Sequence, residues 1–164
     1  MPVERGTTIR AAREDDAAGV AAIYGPYVTD TAVSFEEEAP SADEMARRIR
    51  AALLFLVTER NGRVVAYAYA SPHRARHAYR FACDVSAYVA PGDTGEGLGS
   101  LLYRNLLPHL AALGLHTAHA GIALPNAASV ALHERFGFAH VGTFREVGFK
   151  FGRWHDVGWW SRTL

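Results

Sequence analysis

The chain has a single cysteine, Cys83, among 164 residues. That excludes an internal disulfide and points to a reducing compartment, with the cytoplasm as the expected location. Neither sign of charge is in excess, since 17 acidic side chains offset 17 basic ones. Such a balance provides no electrostatic footprint for nucleic acid or for an anionic membrane, and neither is expected as a partner. No apolar run approaches a membrane span, and the first residues lack a signal-peptide pattern. Internal repeats, linkers and low-complexity tracts are missing too. A chain of this length without such interruptions is most simply one domain over residues 1–164, with residues 1–6 as a loose leader. His116 and His119 stand three apart on an expected strand and so face opposite sides; no metal is expected. What remains is an ordinary globular composition, 49% apolar and 21% charged, with enough apolar surface for a core.

The most informative stretch is Tyr88-Val89-Ala90-Pro91-Gly92-Asp93-Thr94-Gly95-Glu96-Gly97-Leu98-Gly99-Ser100. An apolar run stops at Pro91, glycines alternate, and a helical pattern follows through Leu98, Leu101, Leu102, Leu106 and Leu110. A strand, a glycine-rich turn and a helix start in succession aim free backbone N–H groups and the positive end of the helix dipole at one point. An anion, most naturally a phosphate, is the expected guest. The stretch lacks the Gly-Lys-Ser/Thr ending of a P-loop, and its G-x-G-x-G spacing is not that of a dinucleotide fold. A glycine-rich turn with no ligand stays open on this pattern alone.

Along the rest of the chain, Thr7–Arg10 reads as a short strand, and Val20, Ile23, Tyr24 and Tyr27 mark one face of a helix opened by Glu14, Asp15 and Asp16. Val33-Ser34-Phe35 is expected in the core, with a pocket lining as the other reading. Ser41-Ala42-Asp43-Glu44 fits a capping box, and Arg47, Arg48 and Arg50 of the helix it opens read as a solvated face. Asn61-Gly62 between two β-rich runs is a hairpin turn. The loop from Ser71 to Ala78 gathers His73, Arg74, Arg76 and His77, either as a solvated loop or as a seat for an anionic substrate. Tyr79–Ala90 reads as a long strand. Asp84 lies inside it, where aspartate is disfavoured, and is either a hydrogen-bonded strand residue or a working carboxylate. Leu115–Ala123 is a further strand, Asn126 opens a helix that carries His133 and stops at Gly137, and two closing strands meet at Lys150-Phe151-Gly152-Arg153. The order β-α-α-β-β-β-α-β-α-β-β implies a mixed sheet with helices on its faces, an α/β (α+β) class.

Several of these segments together resemble the GNAT N-acetyltransferase superfamily, and within it the phosphinothricin and methionine sulfoximine acetyltransferases, along nearly the whole chain. The segments are Thr31–Phe35, the strand ending at Tyr88-Val89 with an acid at position 84, Gly95-Glu96-Gly97-Leu98-Gly99, Asn126 through Phe138, and Gly148 through Asp156. The resemblance implies a GNAT-type, mostly antiparallel central sheet and acetyl-CoA as co-substrate. It further implies a small amino-acid-like amine as acceptor and a homodimer. By the same resemblance, backbone groups of Ala87, Tyr88 and Val89 hold the pantetheine, Gly95, Glu96, Gly97, Leu98, Gly99 and Ser100 hold the pyrophosphate, and Asn126 bonds the pantetheine arm. Asp84 is the expected base and His133 the expected proton donor or relay; a buried, hydrogen-bonded histidine is the other reading of that position. Arg74, Arg76 and Arg80 are expected to hold the substrate's anionic group, with Phe35 and Tyr79 as apolar walls. Two positions depart from the pattern. Thr94 stands where the superfamily usually has Arg or Gln, and Asp84 where this subgroup has glutamate. Two other readings stand beside this one: a GNAT enzyme acting on a protein N-terminus or a polyamine, and a non-catalytic acyl-CoA-binding regulatory module. A cluster of arginines argues against a polyamine, since like charges repel.

Overall fold

The computed structural model describes residues 6–164. The leader expected over residues 1–6 lies, apart from Gly6, outside the described residues. In chain order the elements are β1 (Thr7–Ala11), α1 (Ala17–Thr29), α2 (Ala42–Ala51), β2 (Leu54–Arg60), β3 (Arg63–Pro72), β4 (Ala82–Val89), α3 (Leu98–Ala112), β5 (Thr117–Leu124), α4 (Ala127–Arg135), β6 (Ala139–Lys150) and β7 (Arg153–Thr163). The strands form one sheet in the order β1-β2-β3-β4-β5-β7-β6. Every neighbouring pair is antiparallel except β4 with β5. This is the mixed, mostly antiparallel sheet that the resemblance implies. Among the described residues, no helix is long and apolar enough to cross a membrane.

Strand alternation divides the interior into two cores. On β3 the sequence Ala66-Tyr67-Ala68-Tyr69-Ala70 sends alanines to one face and tyrosines to the other. The alanines leave room for α3, whose Leu98, Leu102, Tyr103, Leu106 and Leu110 pack there with Cys83, Val85, Ala118, Ala120 and Ile122. Each fully buried leucine in that layer contributes about 1.5–3 kcal/mol. Tyr67 joins Phe55, Val57 and the buried face of α1, with Tyr69 and Tyr88 packed against that second core. The Asn61-Gly62 turn has φ of 51° and 77°, as a tight hairpin of the expected type requires.

Three local expectations change. Ser41 does cap α2, its Oγ accepting from Glu44 N at 3.1 Å, but Glu44 does not reach back; its carboxylate takes Arg47 and Arg48 instead. Arg48 is not on a solvated face. It donates to both carboxylate oxygens of Glu36, at 2.9 and 2.6 Å, and holds that acid below the usual carboxylate range. Tyr24 also donates to Glu36 at 2.5 Å and lies 2.6 Å from Ser34 Oγ, so the segment after α1 is tied down at both ends. Finally, the long strand starts at Ala82 rather than Tyr79, because residues His77–Tyr79 form a single 3-10 turn.

Candidate active site

Pairing between β4 and β5 stops after three residues, the last being Asp84 with His119. Beyond that point β4 stays on β3 as far as Val89, and β5 stays on β7 as far as Leu124. The two strands therefore splay and leave a wedge through the sheet. Its cavity measures about 540 Å³ and is walled by β4, β5, the glycine turn and α4. Which backbone groups face the wedge follows from the antiparallel register. Ala90 N donates to Val65 O and His73 N to Ala82 O, so the even-numbered residues of β4 exchange their hydrogen bonds with β3. Val85, Ala87 and Val89 turn theirs toward the wedge. Tyr88, expected to offer its backbone there, has that backbone committed to Tyr67; its ring packs edge-on against Tyr24 and Tyr27. The Val89 carbonyl already accepts from Tyr27 Oη at 2.6 Å.

The mouth of the wedge is the glycine turn. Gly95 and Gly97 have φ of 83° and 80°, conformations that L side chains rarely adopt. Gly97 caps α3 without a side-chain hydrogen bond, so the first N–H groups of this 15-residue helix have no side-chain competitor for a guest. Gly99 is small for a different reason: a Cβ there would meet Leu132 at 3.2 Å. Ser100 is buried, and its Oγ accepts from Arg135 at 3.1 Å. Acidic residues in the turn are neutralised. Asp93 accepts from Arg60 and Arg63 at 3.4 and 3.0 Å, and Glu96 pairs with Arg60 at 2.7 Å. The carboxylate of Glu96 is thus directed away, and Glu96 does not line the cavity as the rest of the expected set does. Thr94 Oγ1 is occupied by Pro91 O at 3.3 Å, which leaves Arg135 as the cation that lines the cavity beside the helix N-terminus.

Asp84 and His133 do not come together. Asp84 shares its strand parity with Ser86 and Tyr88 and so points to the α1/α2 face. His133 is buried on the α3 face, its ring 5.2 Å from both Tyr103 and Phe138. Its Nδ1 lies 2.7 Å from Ser129 O, an acceptor only, so the proton is on Nδ1 and Nε2 accepts from Tyr103 Oη at 2.8 Å. Burial lowers its pKa, with the Ser129 contact opposing. The ring borders the cavity as a neutral imidazole with both nitrogens engaged, and it has no proton to offer a leaving group in this arrangement. His133 thus matches the other reading of its position, a buried, hydrogen-bonded histidine, and strand parity puts Asp84 on the opposite face of the sheet from it. Asn126 does line the cavity, but its Oδ1 caps α4 by accepting from Ser129 N at 3.2 Å, which leaves only its amide N–H groups for a ligand.

The α1/α2 face of the closed end holds Asp84 with His73, Nδ1 to Oδ1 at 2.5 Å, and His119, its ring tilted at 35° to that of His73 with centroids 4.7 Å apart. Burial lowers the pKa of His119, the His73 charge adds to this and Asp84 opposes it. Tyr79 stands edge-on to His73 at 5.9 Å. The remaining expected substrate residues are more dispersed. Arg74 and Arg76 are exposed and pair with no described residue. Arg80 donates to His77 O and lies over Phe81, 4.3 Å from the ring centre. Phe35 is laid on β6, where a Cβ at Gly148 would sit 2.2 Å from its ring; Val33, not Phe35, lines the cavity. Sequence reasoning also missed Lys150. It is buried, with Nζ donating to the carbonyls of Val28, Thr31 and Ser34 at 2.6, 2.8 and 2.7 Å. Nothing in a lysine at a strand end signals such burial, whereas His73 was visible as part of a cationic loop.

A splayed mixed sheet with a glycine-turn helix N-terminus at the mouth of the splay defines an acetyltransferase of the GNAT class. Residues 9–159 match the acetyltransferase (GNAT) domain, and the chain belongs to that family. It is 43% identical to a phosphinothricin N-acetyltransferase of Streptomyces coelicolor, with all of both chains covered. It is 36% identical to an L-methionine sulfoximine/L-methionine sulfone acetyltransferase of Salmonella typhimurium, over 92% of this chain and 90% of the other. A GNAT phosphinothricin acetyltransferase from Sinorhizobium meliloti, solved in complex with acetyl-CoA, superposes with a TM-score of 0.92 at 35% identity, covering 97% of this chain and 89% of that one.

Proposed function

We propose that the chain moves the acetyl group of acetyl-CoA to the amino group of a small amino-acid-like substrate of the phosphinothricin, methionine sulfoximine and methionine sulfone kind. The observation that carries this reading is the wedge itself. It has free strand backbone along one wall, an anion seat at its mouth and a carboxylate at its closed end. The pyrophosphate of acetyl-CoA fits the first turn of α3, with Arg135 as the cation beside it. Ala87 and Val89 are in position to hydrogen-bond the pantetheine, and Asn126 to donate to it. Acetyl-CoA supplies the activated acyl group. The chain's own part is to orient it, to hold the amine alongside and to take up the amine's proton at the Asp84 end. Arg74 and Arg76, paired with no described residue and on the turn next to His73, are the cations nearest in sequence for a carboxylate or phosphinate. Thiol release from acetyl-CoA, measured across amino acids, phosphinothricin, methionine sulfone, methionine sulfoximine, a peptide N-terminus and a polyamine, tests the reading. Release with the amino-acid analogues is the expected result. Release only with the peptide would reassign the acceptor, and calorimetric binding of acetyl-CoA with no release would make the chain a sensor.

The active form is, by the same reading, a homodimer joined through β6 and β7. Phe144, Val147, Phe149, Phe151 and Trp154 are each between 55% and 61% exposed on that hairpin. A monomer rarely leaves so much contiguous apolar surface open, and β6 is the edge strand of the sheet. Trp154→Glu is expected to convert a particle of twice the 17.9 kDa chain mass into a monomer in light scattering. A wild-type monomer at micromolar concentration would remove the dimer from the reading.

A further inference from the structure

His73 follows β3 directly and meets Asp84 from the neighbouring strand, Nδ1 to Oδ1 at 2.5 Å. A carboxylate facing one imidazole nitrogen holds the proton there and leaves the other nitrogen with its lone pair. No described residue hydrogen-bonds His73 Nε2. The ring is held in place on several sides, tilted against His119 at 4.7 Å and edge-on to Tyr79 at 5.9 Å and Trp159 at 6.2 Å. Its side chain is 18% exposed, against 31% for Asp84. Ser86 and Gly121, the next residues on this face of β4 and β5, line the cavity. An oriented imidazole with one unused nitrogen therefore stands at the closed end of the wedge.

The geometry points to His73 Nε2 as the atom that takes the proton of the substrate amine, with Asp84 as the positioning residue behind it. This deepens the acetyl-transfer reading above and rests on it. Asp84 Oδ1 is already committed to the ring, and an aspartate has a short reach from its strand. The imidazole carries the basic site outward by the width of a ring. An imidazole also titrates nearer to neutral pH than a carboxylate does, which suits a base that must accept a proton and then release it. In the step, an ammonium N–H gives its proton to Nε2, and the resulting imidazolium is paired with the Asp84 carboxylate. The amine lone pair forms the C–N bond at the thioester carbonyl, and the C–S bond breaks with its electrons on sulfur. Of the two protons the nitrogen sheds, one ends on sulfur and the other leaves to solvent, so the products are amide, coenzyme thiol and one proton.

The groups facing His73 are Asp84 from β4, His119 from β5 and Tyr79 from the 3-10 turn, with the non-titrating Trp159 from β7. The test uses the full chain with acetyl-CoA and the best amine of the substrate panel. His73→Phe is expected to lower kcat about 100-fold or more, within the usual span of general-base catalysis, with acetyl-CoA affinity by calorimetry within about twofold. The double variant His73→Phe/Asp84→Glu is expected to regain about tenfold of that loss, because a longer carboxylate reaches the amine directly. Its acidic limb in kcat/KM moves to lower pH, from an imidazole to a carboxylate. Independently of turnover, proton NMR of the free protein is expected to show a far-downfield Nδ1 proton that His73→Phe and Asp84→Asn both abolish. Wild-type thiol release with a His73→Phe variant within threefold of it overturns this inference alone. A wild-type chain that releases no thiol overturns the functional reading and this inference together. If His73→Phe fails to bind acetyl-CoA, the NMR signature decides, and its absence from the wild-type protein overturns the assignment.

Discussion

Asp84→Asn is expected to lower kcat by about 10²- to 10⁴-fold while acetyl-CoA binding stays within twofold of wild type, because a wrongly oriented base loses most of its catalytic contribution. The substitution keeps size and shape, so strand pairing with Ser71 and His119 is undisturbed. What changes is the group 2.5 Å from His73 Nδ1. A carboxylate can only accept there, whereas an amide can donate and so allows the ring to carry its proton on Nε2, the nitrogen the amine needs free. The proposed pyrophosphate seat, at the glycine turn and the start of α3, lies at the other end of the wedge, so cofactor affinity reads out folding separately from chemistry. The check is steady-state kinetics beside calorimetry. A kcat within a few-fold of wild type would mean that the amine arrives already deprotonated and that the Asp84–His73 pair does something else.

The parts that were legible in the sequence are those with a local cause. The β-rich runs on either side of Asn61-Gly62, that turn itself, the Ser41 cap and the glycines before Leu98 each carry their structural reason within a few residues. The full element order followed from them. The splay was not legible, because it depends on where a parallel pair of strands stops exchanging hydrogen bonds, and that is a property of two segments more than thirty residues apart. The faces of the sheet were lost for the same reason. Asp84 and His133 both belong to segments that carry the family resemblance, but only strand parity and the Tyr103 contact reveal that the sheet separates them. Tyr88 is a similar case: its place at the strand end was clear, and its backbone commitment to β3 was set by register.

Lys150→Met is expected to destabilise the protein by about 3–5 kcal/mol, because three buried carbonyls lose their donor at about 1–3 kcal/mol each, which for a chain of this size lowers Tm by roughly 6–20 °C. Lys150 is 4% exposed, and all three of its ammonium hydrogens are used, on carbonyls of Val28, Thr31 and Ser34. Burial lowers its pKa, with Glu37 and Glu36 opposing. Methionine matches the length of the stem but donates nothing, so three carbonyls lose their partner at once. Those carbonyls belong to the end of α1 and the segment that follows it, which carries Val33 to the cavity wall and Phe35 onto Gly148. The same segment is secured from its far side by Glu36, through Arg48 and Tyr24. Losing Lys150 should therefore loosen one anchor and leave the other, so the variant folds with a mobile amine-side wall. The kinetic signature is a raised KM for the amine with acetyl-CoA affinity little changed, because Lys150 bonds the carbonyls of Val28, Thr31 and Ser34 and not the glycine turn or α3. Thermal melts and paired KM measurements check it. An unchanged Tm would show that water replaces the ammonium at no cost, and equal losses for both substrates would show that the lysine supports the whole sheet rather than one wall of the site.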